Sequence, residues 1–277
     1  MTITNERILK SLNQLNQTQS LQLAPDLNVG GEQVIMMAGP CSVESYEQTH
    51  AVGAAIYQMG GRVLRGGAFK PRTSPHAFQG LGTKGLEILR SVADEFGLLV
   101  ITEALGVEHL PEVMEYADII QIGSRNMQHF PLLWAVGETD KPVLLKRGFM
   151  STIDEWLLAA EHISTRGNHN IMLCERGIRG FDDTTRNVFD TTAIALVKQR
   201  SPFPVIADPS HATGQTDLVL PAARAAVAAG ADGLLVEFHP NPIEALSDAE
   251  QAVPLSEMQD FYSEVDRIAA AMGRSLT

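Results

Sequence analysis

The sequence predicts an α/β fold, a (β/α)8 TIM barrel with a short N-terminal extension, and three observations predict it. Eight short apolar runs recur after Gln33: VIMMAGP, RVLRGGA, LLVITEA, ADIIQIGS, PVLLKRG, IMLCERG, PVIADPS and GLLVEFHP. Each is continuous rather than alternating, which suits parallel strands covered on both faces. The runs recur at a spacing of roughly 28 residues, about one strand–helix unit of such a barrel. A chain of 277 residues with 44% hydrophobic side chains carries enough apolar surface for a single domain of this kind. A doubly wound open sheet would also alternate strands and helices. The first run, however, is not followed by the G-x-G-x-x-G turn of that architecture.

In chain order, residues 1–32 form the extension and 33–277 the catalytic barrel. The extension is polar and rich in Asn and Gln, with Ile8, Leu12 and Leu15 at i, i+4, i+7. It reads as a short helix and loop packed on the body. The first strand leads to Cys41, and Ser45 with Gln48 then has capping-box spacing before a helix through Thr49 to Gln58. The second strand ends at Arg65, followed by Lys70 and Arg72 in KPRTSP; the third ends at Glu103 and the fourth leads to Arg125. Lys146 and Arg147 end the fifth, and Ser151 is placed to cap the helix STIDEWLLAAEHI, with Asp154 in its first turn. The sixth carries Cys174, read as core, before Glu175 and Arg176. The seventh leads to Asp208 and His211, and the eighth carries Glu237 and His239, with Asp248 in the loop beyond. Pro and Gly punctuate nearly every junction.

Composition excludes several classes of function. A net charge of −12 argues against a nucleic-acid or anionic-membrane surface, which needs basic stripes. Two cysteines cannot make a disulfide framework, so a reducing cytoplasm is expected. The start MTITNERILKSLNQLNQ lacks the apolar core of a signal peptide. No uncharged apolar stretch reaches membrane-spanning length. A soluble cytoplasmic enzyme acting on small molecules is the expectation.

A barrel gathers the C-terminal ends of its strands at one mouth, where catalytic groups belong. Arg65, Lys70, Arg72, Arg125, Lys146 and Arg176 would converge there. Clustered cations repel one another unless anions are bound, so the set implies at least one phosphate together with a carboxylate. Cys41, His211, Glu237 and Asp248 form a second constellation, because the first, seventh and eighth strands are neighbours once the barrel closes. Taken singly, Cys41 reads as a small core residue and His211 as a loop histidine. Together, a thiolate, an imidazole and two carboxylates suit Mn, Fe, Co, Zn or Cu and are poor for Mg or Ca.

The segments AGPCSVES, RGGAFKPRTSP, GSRNMQ, LLKRG, CERGIRG, ADPSHATG and VEFHPNPIEALSD together resemble the 3-deoxy-D-arabino-heptulosonate-7-phosphate (DAHP) synthase family. Within it they are similar to the subgroup close to 3-deoxy-D-manno-octulosonate-8-phosphate synthase. The resemblance runs in order from about Val34 to the last helix. It implies a metal-dependent condensation of phosphoenolpyruvate with erythrose 4-phosphate, giving the heptulosonate and phosphate, the first step of the shikimate pathway. By resemblance, Arg65, Lys70, Arg125, Lys146 and Arg176 bind phosphoenolpyruvate. Arg72, Thr73 and Ser74, with Asp208, bind the aldose phosphate. Cys41, His211, Glu237 and Asp248 hold a divalent ion of the Mn2+, Fe2+, Co2+ or Zn2+ class. Lys70, Cys41 and His211 count as catalytic, Lys70 and Glu103 are candidates for proton transfer, and a homo-oligomer (dimer or tetramer) is implied. Ser124, Ala212 and Ala249 depart from the family pattern, where Ala, Gly and Gly are expected.

Three rivals are weighed against this reading. The sibling octulosonate synthase would use arabinose 5-phosphate, but its motif typically reads K-A-N-R where KPRTSP stands here. A Schiff-base aldolase would need Lys146 desolvated and free of phosphate. A non-catalytic binding module would not need the complete ligand set. About 32 polar residues precede the first barrel strand, too few for an effector domain of their own, so insensitivity to phenylalanine, tyrosine and tryptophan is expected.

Overall fold

The computed structural model describes residues 19–71 and 74–277. Its first elements are β1 (Leu21–Ala24) and β2 (Leu27–Val29), an antiparallel hairpin that turns at Pro25 and Asp26. The eight apolar runs then become parallel strands: β3 (Gln33–Gly39), β4 (Val63–Arg65), β5 (Leu99–Glu103), β6 (Ile119–Ile122), β7 (Val143–Lys146), β8 (Ile171–Glu175), β9 (Val205–Ala207) and β10 (Gly233–His239). They pair in sequence order, and β10 pairs back onto β3 from Gly233↔Ile35 to Glu237↔Gly39, closing the barrel. The observed fold is the predicted TIM barrel.

Alternation within the strands builds two cores. Val34, Met36 and Ala38 of β3 face outward into the large cluster shared with the helices. Ile35 and Met37 face inward, among Leu144, Met172, Cys174 and Ile206. Cys174 is fully buried there, as expected of a core residue. Leu21, Leu27 and Val29 of the hairpin join this inner cluster. Asp26 pairs with Arg62, the residue before β4, at 2.7 Å. The Gln19 amide donates to the Pro202 carbonyl at 2.8 Å. The hairpin therefore floors the barrel at the N-terminal ends of the strands, opposite the mouth formed by their C-terminal ends.

This corrects the loop expected of the extension, which over residues 21–29 is a hairpin. Ile8, Leu12 and Leu15 lie outside the described residues. The cap of α5 (Ile153–Ser164) is also corrected. Thr152, not Ser151, is the N-cap: its Oγ1 accepts from the Glu155 amide at 3.2 Å, and Glu155 accepts from the Thr152 amide at 2.8 Å. Glu reaches back where Asp154 is too short, and Asp154 pairs instead with Arg200 at 2.6 Å. Ser45 does cap α1 (Tyr46–Gln58), accepting from the Gln48 amide at 3.0 Å. The Gln48 side-chain Oε1, however, accepts from the Glu44 amide at 3.2 Å rather than from the Ser45 amide, so the box is not reciprocal.

Candidate active site

The site lies where β10 meets β3. A Cβ on Gly39 would overlap the Arg65 carbonyl, so glycine lets the end of β3 press against β4 and set Cys41 at the mouth. Asp208 ends the seventh strand unit and caps the short helix α7 (Pro209–Thr213), accepting from the His211 amide at 3.0 Å. Ser210 on that helix accepts from the Glu237 amide at 3.1 Å, tying α7 to β10. Asp248 is the one non-glycine with positive φ among the described residues, at 50°. Short polar side chains tolerate this conformation best, and here it turns the carboxylate back toward the barrel.

Four donor atoms, from Cys41, His211, Glu237 and Asp248, lie within 4.8 Å of one another. Cys41 Sγ donates to Asp248 Oδ2 at 3.3 Å, and His211 Nε2 stands 3.4 Å from Glu237 Oε1 and 3.9 Å from Asp248 Oδ2. An ion with ligand distances of about 2.0–2.3 Å spans at most about 4.5 Å between donors, so small side-chain shifts let this set close on one ion. The mix of soft sulfur, imidazole and carboxylate fits a transition ion.

The electrostatics agree with that fit. Burial pushes the His211 imidazole down, outweighing the Asp208 and Glu237 carboxylates, which favours the neutral ligand form. Burial works against ionisation of Glu237 and Asp248, but His211 with Arg65 for the one, and with Arg186 for the other, holds both carboxyls below the ordinary range. The Cys41 thiol is pushed up to about 11, first by burial and then by the charge of Glu237. A cation entering the site must displace that proton. Lys70 Nζ donates to Cys41 Sγ at 3.0 Å and to the Cys41 carbonyl at 2.8 Å, in place to support a thiolate.

A cleft of about 350 Å3 opens beside the four clustered donors, and Lys70, Ser74, Arg125, Lys146 and Arg176 line it together with Glu103, His211 and Asp248. Arg176 is buried, and its Nη1 has no hydrogen-bond partner. Arg125, Arg176 and Arg179 gather around the Phe149 ring, 5.3, 4.8 and 4.7 Å from its centroid. An aromatic face can hold several guanidinium groups close together. The arrangement can take up a small dianion and a carboxylate next to an electrophilic ion.

Not every strand-end residue reaches the cleft. Arg65 sits behind the ligands, donating to Glu237 at 2.9 Å and to the Pro40 carbonyl at 2.6 Å. Asp208 is fully buried between Lys146, at 2.6 Å, and His211 Nδ1, at 2.8 Å. Arg147 pairs with Glu175 and Asp190, and His239 with Glu44, away from the cleft. Arg72 and Thr73 lie outside the described residues. Ser124 lines the cleft, Ala212 is fully buried, and Ala249 opens a turn directly after Asp248. None of the three displaces a ligand. Arg186, Gln251 and Phe149 are site residues that periodicity and strand-end position do not pick out. Arg186 sits in the loop FDDTTRN after β8, and an arginine in a polar loop of the catalytic mouth was the one available signal.

A sequence model of the DAHP synthetase I family matches residues 13–272. The phospho-2-dehydro-3-deoxyheptonate aldolase of Thermotoga maritima is 52% identical over 90% of this chain and 73% of its own length. A 2-dehydro-3-deoxyphosphooctonate aldolase of Acidithiobacillus ferrooxidans is 33% identical over 82% of this chain and 86% of its own. The crystal structure of the Thermotoga maritima DAHP synthase superposes with a TM-score of 0.92 at 49% identity, covering 94% of this chain and 76% of that one. A truncated form of that enzyme superposes with a TM-score of 0.88 at 46% identity, covering 94% of this chain and 95% of that one. On this match of sequence and barrel, the chain belongs to the DAHP synthetase I family, and its activity is that of a DAHP synthase.

Proposed function

We propose that the cleft condenses phosphoenolpyruvate with erythrose 4-phosphate beside a divalent ion of the Mn2+, Fe2+, Co2+ or Zn2+ class held by Cys41, His211, Glu237 and Asp248. The observation that carries this reading is the adjacency of that ligand set to a cleft walled by Lys70, Arg125, Lys146 and Arg176. The partnerless buried Nη1 of Arg176 supports an anion as the missing partner.

In this reading Arg125, Lys146 and Arg176 grip the phosphate and carboxylate of phosphoenolpyruvate, with Arg65 reinforcing the charge from behind. Lys70 stands between that group and Cys41. Arg72, Thr73 and Ser74 receive the phosphate of the aldose and point its aldehyde at C3 of phosphoenolpyruvate, while Asp208, placed on the aldose side by resemblance, is buried below the cleft and supports Lys146 instead. The ion, when bound, supplies Lewis-acid polarisation of the aldehyde oxygen. The C3–aldehyde bond forms, water adds at C2, and inorganic phosphate departs with C–O cleavage. Lys70 is placed to give a proton to the oxygen that becomes the new hydroxyl. Glu103, which accepts from Gln121 at 3.0 Å, is placed to take one from the adding water. Holding two anions at near-attack distance supplies much of the acceleration.

Relatives named octonate aldolases make arabinose 5-phosphate the rival aldose. KPRTSP, which differs from the K-A-N-R of that sibling, favours the four-carbon sugar. A steady-state assay offering each aldose phosphate in turn decides between them, with strong preference for erythrose 4-phosphate expected. Arg176→Ala should raise the phosphoenolpyruvate KM far more than the aldose KM, and Arg72→Ala should do the reverse. Equal effects on both substrates would show that the two anion sites are misplaced.

No helix among the described residues is long and apolar enough to cross a membrane. A Cys41 that must stay reduced in order to ligate supports work in a reducing cytoplasm. Assembly as a dimer or tetramer belongs to the same proposal and is tested by light scattering.

A further inference from the structure

The Glu237 carboxylate has two oxygens with different surroundings. Oε1 faces the proposed ion position, 3.4 Å from His211 Nε2 and 2.9 Å from Arg65 Nη1. Oε2 accepts from Gln251 Nε2 at 2.6 Å. The other end of that amide, Gln251 Oε1, accepts from Arg186 Nη1 at 2.6 Å. Arg186 Nη1 also stands 3.4 Å from Asp248 Oδ1, and the side chain lines the substrate cleft. Gln251 itself is 2% exposed.

The orientation of this amide is dictated by its neighbours. An ionised carboxylate can only accept hydrogen bonds and a guanidinium can only donate them. The Gln251 nitrogen must therefore face Glu237 and its oxygen must face Arg186. A glutamate at this position would set two carboxylates against each other, and an apolar side chain would leave the buried Glu237 Oε2 short of a partner, a costly outcome.

We propose that Gln251 is a positioning residue for the metal centre: anchored by Arg186, it holds Glu237 Oε2 away from the ion, so that Glu237 ligates through one oxygen only. The inference rests on the reading of Cys41, His211, Glu237 and Asp248 as metal ligands. It also joins a cleft arginine to two of those ligands, directly to Asp248 and through the amide to Glu237. Partners that orient a ligand in this way are commonly worth about 10–100-fold in metal affinity.

The test compares wild type with Gln251→Met, which preserves length and removes both amide functions. Each protein is stripped with chelator and titrated with Co2+, reading the dissociation constant and the visible absorption of the bound ion. In Gln251→Met, Co2+ should bind about tenfold more weakly. Its visible bands should also weaken, because a freed Oε2 swings in and raises the coordination number. Turnover lost at low metal should return at saturating metal, with the phosphoenolpyruvate KM little changed. Should Gln251→Met fail to fold by circular dichroism, Arg186→Met on the more exposed loop must show weakened Co2+ binding in its place. An unchanged dissociation constant and spectrum in the folded variant would overturn the proposal and leave Gln251 a space-filling residue. A wild-type chain that binds no Co2+ would overturn the metal assignment itself, and this inference with it.

Discussion

Asp208 shows how much of the site is set one layer below the cleft. Its carboxylate accepts from the His211 amide, from His211 Nδ1 and from Lys146 Nζ. Burial alone would raise its pKa, but His211 and Lys146 outweigh that and hold the carboxyl well below the usual range. A permanent anion on Nδ1 keeps the proton there and presents Nε2 to the ligand set. Asp208→Asn should therefore keep the fold, weaken metal affinity by about 10–100-fold and raise the phosphoenolpyruvate KM, because Lys146 loses its counter-ion. Metal titration and steady-state kinetics on the purified variant check both effects, and wild-type values for both would show the contact to be incidental. The clustering of Cys41, His211, Glu237 and Asp248, and of several lysines and arginines beside them, was legible in the sequence because a closed barrel converts strand-end position into proximity. That rule fails one step deeper. It cannot tell that Arg65 turns toward Glu237 behind the cleft, or that Asp208 supports His211 and Lys146 from below, since both depend on rotamer and packing. Arg186 escaped for a related reason: the loop after β8 carries no period from which its direction can be read.

At the scale of elements, the hairpin β1–β2 shows the opposite failure, a signal that was present and hidden by its surroundings. Leu21, Leu23, Leu27 and Val29 alternate around Pro25 and Asp26 in LQLAPDLNV, a hairpin pattern that the polar stretch ahead of it diluted. Thr152 and Glu155 likewise have capping-box spacing, one residue beyond Ser151 and Asp154. The hairpin matters because parallel strands leave the N-terminal end of the barrel interior open to water. Leu27 and Val29, both fully buried, close it against Ile35, Val63, Ile119 and Leu144. Leu27→Ala should cost about 2–5 kcal/mol, the usual range for emptying a packed leucine site, read as a lower midpoint in urea. The kcat at low denaturant should stay near wild type, because the floor and the catalytic mouth are at opposite ends of the strands. A loss under about 1 kcal/mol, below that range, would mean that the hairpin only rests on the barrel and is not part of its inner core.

Taken whole, the molecule is a closed ring with one seam, and the proposed ion sits on it. Cys41 follows β3, Glu237 is on β10, His211 comes from α7 before β10, and Asp248 from the loop after it. The same seam is stitched by the paired hydroxyls of Ser42 and Ser247 and by the Leu246 amide donating to Glu44 at 2.8 Å. Without an ion, the buried Glu237 and half-buried Asp248 carboxylates are held near each other with only the neighbouring cations to offset their repulsion. An ion that binds the folded ring and not the unfolded chain stabilises it by mass action, by about 4 kcal/mol at a thousandfold excess over its dissociation constant. For a domain of this size that corresponds to a rise in Tm of roughly 10 °C. Scanning calorimetry with excess Mn2+ or Co2+, and again with chelator, should reveal a shift of that order. Cys41→Ala should remain folded, lose most of its activity, and show little of the shift, since three ligands hold the ion far less tightly than four. If wild type melts at the same temperature under both conditions, the four residues do not close on an ion, and the seam is held by the pairing of β10 with β3 and the hydrogen bonds across it.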